Sequence, residues 1–179
     1  MRVTRVPYAV EGWGVGELWL GEGRLVLAHD APAPPRALSR TPPRGAGEPP
    51  SGTLTGDPSR RRDGFVEDLI QRIHSYFAGE RVAFDDVEVD LEWCTPVQAS
   101  VAATLRAVRW GDTVSYGQLA ERAGYPRAGR AAGSFCATNT FFLLVPCHRV
   151  VASDGLGSYG PSGLETKRRL LRLEGHAAL

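Results

Sequence analysis

The residues best suited to chemistry are Cys147, His148 and Arg149, which follow Pro146 in a chain of 179 residues. A cysteine is a poor nucleophile as the thiol and a strong one as the thiolate, so the sulfur needs a nearby base or positive charge. His148 is the adjacent base, Glu174 an orienting carboxylate and Arg149 a neighbouring cation. The run Phe141-Phe142-Leu143-Leu144-Val145 is continuous and apolar, which predicts a buried strand delivering Cys147 at its end. Burial against that run would raise the thiol pKa. Neighbouring side chains on an extended strand point to opposite faces, so His148 would reach the sulfur through a turn or a bridging water. The same dipeptide also fits a buried thiol beside a surface histidine, and alone it does not decide between them.

Cys94, Cys136 and Cys147 are odd in number and lack close metal-ligand spacing, so neither a disulfide framework nor a zinc cluster is indicated. A metal site assembled from distant Cys and from His29, His74, His148 or His176 stays open. No run of eighteen apolar residues occurs, and Met1 to Tyr8 lacks the basic and apolar segments of a secretory signal. A soluble cytoplasmic protein without membrane contact is expected, its thiols free. From Pro96 onward there are ten basic and five acidic residues, net +5, against eleven and fifteen before it, net −4. A basic C-terminal half fits a polyanionic partner, although so small an asymmetry also arises by chance.

The elements that would position these residues follow from periodicity. Val15 to Leu20 and Arg24 to Ala28, separated by Gly21-Glu22-Gly23, read as a β-hairpin. From Ala31 to Asp63 the apolar pattern stops, and eight of the thirteen prolines fall there beside Arg60-Arg61-Arg62, so a long mobile loop is expected. Phe65, Leu69, Ile70, Ile73 and Phe77 recur on one helical face that Gly79 ends, and a strand is expected from Val82 to Val89. A helix over Val97 to Val108 begins with Thr95 as cap and Pro96 in its first turn. Ser115 caps a short helix stopping at Gly124, and Ala128 to Thr138 forms another, giving a helix-turn-helix pattern. Small residues on the second helix would let its backbone approach another surface closely.

Val145-Pro146-Cys147-His148-Arg149-Val150-Val151, Val114-Ser115-Tyr116-Gly117-Gln118-Leu119-Ala120, Arg130-Ala131-Ala132-Gly133 and the following Asn139 occur in one order and spacing. Gly163-Leu164 through Lys167, Leu170-Leu171 and Glu174-Gly175 close the pattern. In these pieces, across residues 95 to 176, the chain resembles the 6-O-alkylguanine-DNA alkyltransferases, or methylated-DNA–protein-cysteine methyltransferases. The N-terminal half resembles them mainly in Tyr76-Phe77-Ala78-Gly79 and the hairpin.

The resemblance implies an α/β plus α architecture: a ribonuclease-H-like α/β domain over residues 1–92, carrying the 31–63 insert, and a winged-helix (helix-turn-helix) domain over 93–179. It implies that Cys147 accepts the alkyl group in an in-line displacement, with His148 as base through water and Glu174 holding its tautomer. Tyr116 would hydrogen-bond the departing guanine, and Asn139 would brace the turn behind the site. Arg130 would fill the stack left by a flipped base, with Ala131, Gly133, Ser115 and Tyr116 on DNA. Val150, Tyr159 and Cys147 would line the alkylguanine pocket, the carbonyls of Cys147 and Val150 reading the guanine amino group. Single-turnover DNA repair by a monomer on double-stranded DNA containing 6-O-alkylguanine follows, with no cofactor and no metal.

The chain departs from the family pattern at Phe135, where Ala or Gly is usual on the DNA-approaching helix, and at Ala137, where a basic residue is frequent. Thr140, Phe141-Phe142, Val97 and Ala102 also differ, and Tyr159 stands one place early. A bulky Phe135 is therefore expected to alter the DNA contact. Two rival readings are a lesion sensor that binds without accepting the alkyl group, and a winged-helix regulator whose Cys147 is merely buried or redox-sensing.

Overall fold

In the computed structural model, residues 3–22, 24–33, 58–160 and 162–176 are described, 58–63 as backbone. The chain divides into two compact units, Met1–Asp90 and Leu91–Leu179.

In the first unit, three antiparallel strands, β1 (Thr4–Val10), β2 (Gly14–Leu20) and β3 (Val26–Ala33), lie in the order β1-β2-β3. The β1–β2 turn uses Gly12 and Gly14 at φ values of 73° and 112°, which residues with a β-carbon rarely adopt. The expected hairpin is β2 and β3; β1 pairs with β2 in addition, from Thr4↔Leu20 to Val10↔Gly14. Two register shifts in the β2–β3 ladder accompany three consecutive buried residues, Leu18, Trp19 and Leu20, where strict alternation would expose the middle one. Helix α1 (Pro58–Phe77) buries Phe65, Leu69, Ile73, Tyr76 and Phe77 at helical spacing.

Two expectations need correction in this unit. The presumed loop over 31–63 begins in β3, which runs through Ala33, and ends in α1, which starts at Pro58 and includes Arg60-Arg61-Arg62. Proline is tolerated in a first helical turn because the N–H it lacks would have no intrahelical partner there. Residues 34–57 lie outside the described residues. The expected strand from Val82 to Val89 reduces to one parallel bridge between Val26 and Val89. Phe84 to Val87 instead closes a turn, with Val87 N donating to Phe84 O at 3.1 Å and Arg72 of α1 clamping Asp86 at 2.7 Å.

In the second unit, α2 (Pro96–Arg106) begins with a reciprocal cap between Thr95 and Gln98 and buries Val101, Ala102 and Leu105. β4 (Val114–Ser115) runs directly into α3 (Tyr116–Arg122), which Ser115 caps with Gln118 in the same reciprocal way. α4 (Gly129–Thr138) buries Ala132 and Phe135. After a buried irregular stretch, β5 (Val150–Val151) pairs parallel to β4, Val114↔Val150 and Ser115↔Val151. α5 (Gly163–Leu173) completes the unit, burying Lys167, Leu170 and Leu171.

The apolar run Phe141 to Val145 is buried throughout but is not the expected strand. Val145 N turns back onto Phe141 O at 2.9 Å, and Cys147 N onto Val145 O at 2.8 Å. A run without alternation announces burial on all sides, which a folded-back segment satisfies as well as a strand does.

Candidate active site

Cys147 opens a one-turn 3-10 helix, Cys147–Arg149, and this local winding replaces the extended geometry expected there. The turn is entered through Pro146 and left into β5, with Val150 N donating to Cys147 O. All three residues are buried, Cys147 at 4% exposure.

Asn139, the C-cap of α4, holds the turn from behind. Its Nδ2 donates to Val145 O at 2.9 Å and to Cys147 Sγ at 3.1 Å, while its Oδ1 accepts from Phe141 N at 3.1 Å. One amide therefore fixes the backbone before the cysteine and touches the sulfur. Burial pushes the Cys147 thiol well up, as does the thiol of Cys136. The Asn139 amide and the Lys167 charge oppose this by favouring the thiolate.

His148 Nε2 and Glu174 Oε1 are 2.9 Å apart, both side chains shielded from solvent. Burial lowers the His148 pKa, Glu174 opposes that, and Arg149 and Lys167 reinforce it. The consistent arrangement is a neutral imidazole whose Nε2–H donates to the carboxylate, which makes Nδ1 the basic nitrogen. Burial alone would raise the Glu174 carboxyl, but His148 and Arg149 hold it well below the usual range. Arg149 grips Glu174 with Nε at 3.0 Å and Nη2 at 2.9 Å, and its Nη1 donates to Val108 O at 2.6 Å. Gly111 N adds a further donor to Glu174 at 3.3 Å. Arg149 thus serves the carboxylate, where the sequence reading made it a cation beside the thiol.

Lys167 was missed as a functional residue. Its ammonium donates to Val150 O at 2.6 Å, Ser158 O at 3.2 Å and Leu156 O, tying the loop before Tyr159 to β5. Burial lowers its pKa to about 8. A signal was present: Lys167, Leu170, Leu171 and Glu174 share the three- and four-residue spacing of one buried helical face. The Val150 carbonyl, expected to read the base, already accepts from Lys167 on one side.

Tyr116 is half-buried at the start of α3, packed between glycines: a β-carbon at Gly157 would lie 3.4 Å from its ring and one at Gly133 3.9 Å. Burial raises its phenol pKa, a hydrogen bond with Ser158 opposes this, and Cys136 and Cys147 reinforce it. Tyr159 is half-buried, and its phenol pKa is pushed well up by burial and by Cys147, Cys136 and Glu174. Cys147, His148, Glu174, Asn139, Tyr116, Tyr159 and Val150 therefore come together.

The DNA-directed set behaves differently. Arg130 is exposed and Ala131 half-buried on α4. Gly133 faces the Tyr116 ring, and a β-carbon at Gly129 would lie 3.6 Å from Gly117 Cα, so the surface these small residues approach closely is α3. The Ser115 hydroxyl accepts from Gln118 N at 3.2 Å as a helix cap. Phe135 corrects its expectation: the ring is fully buried and stacked on Trp93, centroids 6.2 Å apart and planes within 13°, so it fills the core. Among the described residues, no group of three or more His, Cys, Asp or Glu could hold a metal ion, and no helix is long and apolar enough to cross a membrane.

Residues 96–176 match the family model for the DNA-binding domain of 6-O-methylguanine DNA methyltransferase. A methylated-DNA–protein-cysteine methyltransferase of Mycobacterium bovis is 40% identical over 128 residues, 71% of this chain and 73% of that protein. The chain belongs to this family. The Metallosphaera sedula methylated-DNA–protein-cysteine methyltransferase is 42% identical over 107 residues, 60% of this chain and 66% of its own length. The crystal structure of Mycobacterium tuberculosis OGT in complex with DNA matches with a TM-score of 0.71 at 31% identity, covering 95% of this chain and 92% of that one. The mixed α/β fold is that of these methyltransferases.

Proposed function

We propose that this protein repairs alkylated DNA by moving the alkyl group of 6-O-alkylguanine directly and irreversibly onto Cys147. The observation that carries the reading is a sulfur held at 3.1 Å by Asn139 beside the buried His148–Glu174 pair. A new sulfur–carbon bond forms as the carbon–oxygen bond to guanine breaks, and the electron pair leaves with the guanine oxygen. The thiol proton passes through water to His148 Nδ1, with Glu174 fixing the tautomer. Tyr116 hydrogen-bonds the departing ring and relieves its charge. The thioether is stable, so each molecule acts once and no cofactor takes part.

DNA is the partner. The target carbon lies inside the duplex, so the base is flipped out, with Arg130 on α4 filling the gap. Val150 and Tyr159 line the pocket for the flipped base. In this reading the N-terminal α/β domain (1–92) is ribonuclease-H-like, the C-terminal domain (93–179) is a winged helix, and the protein works as a cytoplasmic monomer.

Intact-mass analysis after mixing with a duplex containing 6-O-methylguanine tests it. One methyl group per molecule is expected, mapped to Cys147 and not to Cys94 or Cys136. Lesion-dependent binding with Cys147 unmodified would instead make the protein a damage sensor.

A further inference from the structure

Arg127 stands where another residue type is expected. Among the described residues it is the one residue other than glycine with a positive φ, 75°. It is third in the turn Tyr125-Pro126-Arg127-Ala128, in which Ala128 N donates to Tyr125 O at 3.0 Å. Proline in second place and a positive φ in third mark a type II turn, whose third place calls for Gly or Asn. The turn cannot relax elsewhere. On one side Tyr125 N closes onto Ala120 O at 2.9 Å behind Gly124, itself at φ 84°. On the other, α4 is seated at its first residue, Gly129, where a β-carbon would lie 3.6 Å from Gly117 Cα of α3. Arginine is therefore held in a left-handed conformation that glycine would adopt without strain. Within the fold that strain stabilises nothing: Arg127 is exposed, and among the described residues its guanidinium has no ion pair or hydrogen bond, nor have those of the exposed Arg122 and Arg130. Residues 114–140 hold these three arginines against a single acid, Glu121.

We propose that Arg127 binds a phosphate of the DNA backbone at the start of α4 and so sets the register in which Arg130 meets the duplex. This rests on the reading that α4 lies on DNA. The guanidinium is a planar fork of N–H donors that matches phosphate oxygens. Arg127 precedes Arg130 by three residues but stands on the turn, off the helix that enters the groove, and from there it reaches the backbone rather than a base edge. A phosphate contact carries no sequence information; it fixes the position and orientation of the protein on the duplex. The constrained turn holds the Arg127 backbone fixed relative to α4, so a contact made there is transmitted to the helix.

Arg127→Gly and Arg127→Lys are compared with the wild type in the full chain, by thermal melting and by binding to two undamaged duplexes, one rich in A·T and one in G·C, over a series of salt concentrations. Arg127→Gly relieves the turn and removes the cation. It should melt no lower than the wild type while binding both duplexes roughly three- to tenfold more weakly, with the slope of log K against log salt reduced by about one. Arg127→Lys keeps a cation and should keep the wild-type slope. A role confined to the fold would instead lower melting and binding together. That result, an unchanged slope in Arg127→Gly, weakening on one duplex alone, or a wild type that binds neither duplex would overturn the proposal. If the wild type takes up no methyl group from a 6-O-methylguanine duplex but Arg127→Gly still loses slope on undamaged DNA, the repair reading fails and the phosphate contact stands.

Discussion

Glu174 accepts a hydrogen bond from His148 Nε2 at 2.9 Å while the same carboxylate is gripped by the Arg149 guanidinium. The pair joins the C-terminal end of α5 to the turn that carries the acceptor sulfur. One carboxylate therefore orients an imidazole and neutralises a buried cation.

Glu174→Gln keeps the shape and removes the charge. Arg149 is then a buried cation without its anion, and such a loss costs about 3–5 kcal/mol. The amide can also present either an acceptor or a donor to His148, so the tautomer is no longer fixed. Methyl transfer by the folded fraction should slow on the order of a hundredfold, the low end for a misdirected general base. Urea unfolding measures the first effect and single-turnover transfer the second. An unchanged rate in a destabilised protein would make Glu174 purely structural.

The pH dependence has a definite sign. Folded His148 has a lowered pKa, mainly through burial, and folded Glu174 is held below its ordinary value by His148 and Arg149 against its own burial. The His148 contribution to stability is fully present above its unfolded value of about 6.5 and is lost as pH falls through the lower folded value. The Glu174 contribution is present above about 4.3 and is lost as pH falls through its own folded value. Urea midpoints should be level near neutrality and decline on acidification. The transfer rate, which needs neutral His148, should hold below the ordinary histidine pKa before falling. A rate that halves near the ordinary value would show His148 solvated during the reaction.

The caps at Thr95 and Ser115 and the spacing of Phe65, Leu69, Ile73 and Phe77 were legible because they are local chemistry: a hydroxyl, a glutamine three residues on, a helical stripe. β1 was not legible, because only one of its seven residues, Tyr8, is buried and apolar contrast along it is weak. The path from Phe141 to Val145 was misread because burial on every side erases alternation. Cys147, His148, Glu174 and Asn139 were visible as a motif, but the partner of Arg149 was not. That partner lies 25 positions away, and only the folded chain brings it near. Phe135 looked like a surface anomaly because its stacking partner, Trp93, is still more remote in sequence.

Asn139 can be separated into brace and sulfur contact. Asn139→Ala leaves Val145 O and Phe141 N without their side-chain partner, at about 1–3 kcal/mol for a buried group left unsatisfied. It also removes the donor that favours the Cys147 thiolate, so alkylation by iodoacetamide should slow at fixed pH. Asn139→Asp keeps an acceptor for Phe141 N but places a negative charge beside the sulfur. Its stability should exceed that of the alanine variant while its Cys147 reacts more slowly still. Faster alkylation in Asn139→Asp would place the sulfur out of reach of this side chain.

Lys167→Met keeps the buried stem and deletes the ammonium that gathers Val150 O, Leu156 O and Ser158 O. The 156–159 loop loses its tie to β5. Hydrogen exchange should accelerate there and at Val150 and Val151, while α2 exchanges as before. Because Tyr159 sits on that loop, transfer from duplex DNA should weaken through its substrate dependence more than through its limiting rate. Uniformly faster exchange across the second unit would mean that Lys167 supports the whole unit instead of the loop.

Arg130 tests base flipping against simple charge. It is exposed on α4, one helical turn before the Gly133 that packs on Tyr116, so its side chain leaves from a helix seated beside the site. If it fills the gap left by the extruded guanine, Arg130→Ala loses a cation and a plug, whereas Arg130→Lys restores the cation alone. Unstacking a base costs a few kcal/mol, so losing the plug should slow duplex repair roughly a hundredfold. Free 6-O-alkylguanine base requires no flipping, and its reaction with Cys147 should be nearly the same in both variants and in the wild type. A surface cation would behave otherwise: lysine would restore nearly all duplex activity, and added salt would slow the wild type and the lysine variant alike. Duplex and free-base rates measured side by side at two salt concentrations separate these outcomes, and full rescue by lysine would remove Arg130 from the flipping step.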